Sequence, residues 1–147
     1  MTIPLSQWEA FMIETLRHSG VSGEDIMRGL KENDVSQFKA FDTTFDYQDL
    51  LTSWTADSER IKEAIINGYQ VKFLSVYGIK RLLKLMFSLE DPENYTVEEN
   101  QFVKVPLADQ QLDTVRTLLS PNWSITNVLE DGDKNLVTIT HATALES

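Results

Sequence analysis

Residues 123–140 read WSITNVLEDGDKNLVTIT, and they carry the plainest strand signal in the chain. Two runs of β-favouring residues, WSITNVL and NLVTIT, flank the polar EDGDK, whose Asp131-Gly132 pair suits a tight reversal. A C-terminal hairpin follows. Working back from it, Pro106 is read as opening a helix, LADQQLDTVRTLL, whose Leu107, Leu112, Val115, Leu118 and Leu119 recur at helical spacing. NQFVKV before it reads as a short strand, and EDPENYTVEEN as a charged loop.

Further upstream, GIKRLLKLMFSL sets Ile79, Leu82, Leu83 and Met86 on one face against Lys80, Arg81 and Lys84, the pattern of an amphipathic helix. The preceding YQVKFLSV alternates with period two and reads as a strand, with an uninterrupted helix as the alternative. SERIKEAIIN, capped by Asp57 or Ser58 and stopped by Gly68, is a helix. A shorter one is expected over Tyr47 to Trp54. Leu5 to His18 carries Ser6 as N-cap with Glu9 three residues on, and Ser22 starts a second helix that runs to about Glu32.

Helices therefore lead and strands trail, without a repeated βαβ unit. The expected class is α+β: a helical N-terminal half, then a small antiparallel or mixed sheet with packed helices and a C-terminal β-hairpin, in a single domain over 1–147. The residues after Ala142 read as a frayed tail.

Composition narrows the chemistry. The absence of cysteine removes disulfides, a thiolate nucleophile and sulfur-ligated metals, and fits a cytoplasmic setting. No apolar run approaches the roughly 20 residues of a membrane span, and the first residues lack a signal-peptide pattern. With 13 basic and 23 acidic residues the net charge is −10, which disfavours a non-specific grip on nucleic-acid phosphates.

The two histidines, His18 and His141, have no ligand partner at metal-binding spacing, and the glycines form neither a Walker-type loop nor a dinucleotide-binding run. EDGDK lacks the length and closing Glu of a calcium loop. No catalytic residue, cofactor or metal ligand is assigned; a hydrolase built on paired carboxylates rests only on their abundance.

What remains is charge segregation. Residues 71–89 hold Lys72, Lys80, Arg81 and Lys84 and no acid, whereas residues 90–100 hold five acids and no base. The expected function is a non-enzymatic, acidic regulatory or inhibitory protein that binds another protein, in one version by filling a basic, nucleic-acid-binding groove. Its candidate contacts are Asp42, Asp46, Asp49, Glu90, Asp91, Glu93, Glu98 and Glu99. The alternative is a winged-helix-like DNA-binding regulator using the 78–89 helix, with Lys72, Lys80, Arg81 and Lys84 as its candidate contacts. The plainer reading of that helix is a basic face neutralised by neighbouring acidic loops.

Overall fold

The computed structural model describes residues 3–142. Among them lie six α-helices and two sheets, a parallel pair and a four-stranded antiparallel sheet, with helices leading and strands trailing, so the fold is α+β. The chain divides into two compact units, Met1–Tyr69 and Gln70–Ser147.

Unit 1 begins with strand β1 (Ile3–Leu5) and continues through α1 (Gln7–His18), α2 (Gly23–Lys31), a 3-10 helix (Ser36–Ala40), α3 (Gln48–Ala56) and α4 (Ser58–Asn67). The starts of α1, α2 and α4 follow from a polar cap. The Ser6 hydroxyl accepts the N–H of Glu9 while Glu9 takes that of Ser6, Ser22 accepts from Asp25, and Asp57 accepts from Arg60. Gly68 ends α4 at φ +92°, a left-handed turn that a side chain would resist. Phe11, Phe38 and Tyr47 are buried, and Trp8, Phe11, Phe45 and Tyr47 meet ring to ring at 5.0–6.4 Å.

One ion pair ties this unit across 51 positions. Arg60 donates from Nη2 to Glu9 Oε2 at 2.8 Å and from Nη1 to Oε1 at 3.2 Å, a two-pronged grip. Burial alone would raise the Glu9 carboxyl, but hydrogen bonds from Arg60, the Ser6 backbone and Ser53, with the attraction of the Arg60 charge, bring it down to about 2.

Unit 2 takes in the end of β2 (Tyr69–Val71), then α5 (Val76–Phe87), β3 (Thr96–Glu98), β4 (Gln101–Leu107), α6 (Asp109–Leu118), β5 (Trp123–Asp131) and β6 (Lys134–His141). The sheet order is β3-β4-β6-β5, all antiparallel, which leaves β5 at an edge. β5 is bulged between Ile125 and Asn127, and Gly132 turns it into β6 at φ +64°. Ile79, Leu82, Leu83 and Met86 of α5, Val115 and Leu118 of α6 and Ile139 of β6 face a common apolar seam. The amphipathic pattern of both helices is thereby used.

Three boundaries differ from the sequence reading. The strand expected over 69–76 ends at Val71, and Ser75 caps α5 by accepting the N–H of Gly78 at 2.9 Å. Pro106 lies inside β4, opposite Leu136, and α6 starts at Asp109 with Gln111 reaching back to the Ala108 N–H. Beyond Val103 β4 has no β3 partner, and a strand edge is where a residue without an N–H is tolerated. The charged loop contains β3, which pairs Thr96–Glu98 with Gln101–Val103. The tail after Ala142 lies outside the described residues.

Glu9 has a lowered folded pKa, so its contribution is full above the ordinary value of 4.5 and is lost as pH falls through about 2. Replacing Arg60 by Met is expected to cost about 2 kcal/mol at pH 7. In urea unfolding, the gap between this variant and the parent should close between pH 4.5 and 2. A gap that stays constant over this range would rule out the ion pair as its cause.

Candidate functional site

β2 ends with its last side chain buried, yet four residues separate it from the start of α5, and the intervening turn is held in an unusual way. The side chain of Leu74 is buried and its peptide groups need partners away from any strand. The approach to β5 supplies them. Leu74 donates its N–H to Ser120 Oγ at 3.0 Å, and its carbonyl accepts from the Trp123 indole at 2.8 Å and from Asn122 Nδ2 at 3.2 Å. Ser120 in turn donates to Asn122, and Trp123 packs edge-on against Phe102 and His141.

This clamp fixes Phe73 immediately before it. Phe73 adopts φ +51°, a left-handed conformation that costs a non-glycine residue about 1–2 kcal/mol. Its ring gains no burial in return and is 84% exposed. Four residues on, at the start of α5, Tyr77 is 58% exposed; its hydroxyl accepts from Arg81 Nη1 at 2.6 Å, and the guanidinium lies 6.0 Å from the ring centre. Sequence reading placed Phe73 within an alternating strand and so gave it no role.

Beside this turn, the outer face of α5 borders a cleft of about 410 Å³ lined by Tyr77, Lys80, Arg81, Lys84, Leu85, Leu89, Glu90, Asp91 and Tyr95. That is within the range of roughly 300–1,000 Å³ common for ligand sites. Its floor is the buried Tyr95, whose hydroxyl is pushed up to about 12 by burial and by the charges of Asp91 and Glu90. A wider depression in unit 1, about 620 Å³, has Met27 and Trp54 among Arg28, Lys31, Lys62, Glu24 and Glu59. It carries no residue displayed on strained backbone.

The structure separates the sequence candidates by task. Lys80 and Lys84 reach Asp91 and Glu90 at 3.6 and 3.1 Å, so two of the four basic candidates meet acids of the following loop, as the plainer reading of that helix anticipated. Arg81 borders the same cleft, and Lys72 is exposed beside Phe73.

Of the acidic candidates in unit 1, Asp42 accepts from the Tyr47 hydroxyl and from both the hydroxyl and N–H of Thr44. Burial raises its carboxyl, and these bonds more than offset that to leave it lowered. Asp46 accepts the N–H of Gln48 at the start of α3, and Asp49 is exposed in its first turn. In unit 2, Glu93 and Glu98 are exposed, and Glu99 is exposed at the β3–β4 turn.

Among the described residues no group of three or more His, Cys, Asp or Glu is placed to hold a metal ion, and no helix is long and apolar enough to cross a membrane. Compared with known proteins, the chain matches no family model, no curated protein and no solved structure.

Trp123→Phe is expected to lower stability by about 1–3 kcal/mol, through the lost hydrogen bond to Leu74 and looser packing. Phe73→Ala, by contrast, should change the melting midpoint little. Thermal unfolding of the pair tests the clamp, and a large loss from Phe73→Ala would show that ring to be structural after all.

Proposed function

We propose that this chain is a non-enzymatic regulatory protein of the cytoplasm that binds another protein through the turn at Phe73 and the adjoining outer face of α5. The observation that carries this reading is Phe73 itself, a large apolar ring almost wholly in water on left-handed backbone, with the next peptide tied down on both sides. Backbone strain that serves no internal packing is a signature of functional positions. An aromatic residue on a rigid turn also loses little conformational freedom on binding, which is what an interface anchor requires.

Tyr77 and Arg81 extend the same surface with residue types that dominate binding energies at protein interfaces. The lack of cysteine supports a reducing compartment. A version in which the acids fill a partner's basic groove has less support, because Asp42 and Asp46 serve their own backbone turns and Glu90 and Asp91 face lysines. DNA binding through α5 is disfavoured by the net charge of −10.

The test places a photo-crosslinking benzoylphenylalanine at Phe73 and, as a control, at Leu129, which is also exposed. In extracts of the native host, position 73 is expected to capture a protein of one defined mass that position 129 does not. A Tyr77→Ala, Arg81→Ala background should reduce capture at least tenfold, the loss of about 1.4 kcal/mol or more. Equal capture at both positions would refute the anchor. A gel shift with genomic DNA that is abolished by Lys80→Glu with Arg81→Glu would favour the DNA-binding alternative instead.

A further inference from the structure

The cleft beside α5 is already occupied by acids, and they come from the chain itself. At the end of α5, Ser88 turns left-handed at φ +59° while Leu89 returns its N–H to the Leu83 carbonyl at 3.2 Å. The chain reverses there. Glu90 and Asn94 then close a small loop: the Glu90 N–H donates to Asn94 Oδ1 at 2.9 Å, and the Asn94 N–H to the Glu90 carbonyl at 2.8 Å. This loop presents Glu90 to Lys84 and Asp91 to Lys80, with Leu89 lining the cleft beside them.

We infer that the cleft is a site for an acidic peptide segment of the partner, and that Leu89, Glu90 and Asp91 act as a built-in stand-in which such a segment displaces. This rests on the docking surface proposed above and names the chemistry it recognises. The lining supplies three cations, Lys80, Arg81 and Lys84, beside the apolar or aromatic Tyr77, Leu85 and Tyr95. That combination complements two neighbouring carboxylates next to a large apolar residue, which is the pattern Leu89-Glu90-Asp91 itself offers.

The charged side chains of the stand-in are weakly held. The Lys84–Glu90 pair is exposed and the longer Lys80–Asp91 pair partly so, and pairs in such settings are worth little, so an incoming carboxylate loses little by replacing one already there. A nucleic-acid strand fits less well, since it carries a charge at every residue, beyond the two that Lys80 and Lys84 meet, against a protein of net charge −10.

The test uses a fluorescein-labelled peptide, FSLEDPENY, with the sequence of residues 87–95, added to the full-length protein. Fluorescence anisotropy should show Glu90→Gln with Asp91→Asn binding it about fivefold more tightly than the parent, the gain expected from removing two exposed internal competitors. Adding Lys80→Gln and Lys84→Gln should abolish that gain, and the neutral peptide FSLQNPQNY should not bind. Unfolding curves of each variant confirm that it is folded.

The inference is overturned if the Glu90, Asp91 variant binds the peptide no better than the parent. It is equally overturned if a ten-nucleotide single strand binds more tightly than the peptide. If that variant gains nothing while benzoylphenylalanine at Phe73 still captures its partner, the acidic-segment inference fails and the docking surface stands. Loss of selective capture at Phe73 is the separate failure of the docking surface.

Discussion

A buried peptide carbonyl must find a donor, and in the second half of this chain the carbonyl of Leu74, itself outside any strand, finds two in side chains. Both donors come from residues just before or at the start of β5, so the turn that launches α5 and the strand that completes the sheet are fixed by one cluster of side chains. Ser120, Asn122 and Trp123 are polar or amphipathic for that reason. An apolar triad in their place would bury Leu74 equally well but leave its N–H and carbonyl unpaired, and each such orphan costs about 1–3 kcal/mol. The clamp also explains how Phe73 can stay strained: its neighbour cannot move to relieve it.

Electrostatics in the same region follow a different logic. The basic stretch and the acidic stretch are adjacent in sequence, and a left-handed residue at Ser88 folds one back onto the other. What reads along the chain as segregated charge is locally near balance in space, three cations against two carboxylates around one cleft. The first unit handles its charges in the opposite manner, committing Glu9 and Arg60 to a well-shielded pair that joins the start of α1 to α4.

Much of the architecture was legible because its signals are short-range. Ser6 with Glu9, Ser22 and Asp57 mark helix starts through hydrogen bonds spanning three residues, and Gly68 and Gly132 mark reversals through a backbone preference of their own. The end of β2 was not legible. Val71, Phe73 and Ser75 continue a period-two pattern, and only the distant Ser120, Asn122 and Trp123 force the chain out of it at Leu74. Pro106 misled for a related reason: a proline suits the first turn of a helix as well as a strand edge, and the short reach of β3 decides between them. The pairing of Lys80 with Asp91 and Lys84 with Glu90 was foreseen as a type of contact. The exposure of Phe73 was not, because no pattern in sequence distinguishes a displayed phenylalanine from a buried one.

The edge strand β5 has a consequence for how the protein tolerates its own company. A nine-residue strand at the margin of a sheet offers its unpaired backbone to any other strand of like geometry, a second copy of the chain included. Here the bulge near Ile125 bends that margin out of register, and Glu130 and Asp131 put two negative charges at its far end. In a crowded cell these features oppose edge-to-edge pairing with another strand.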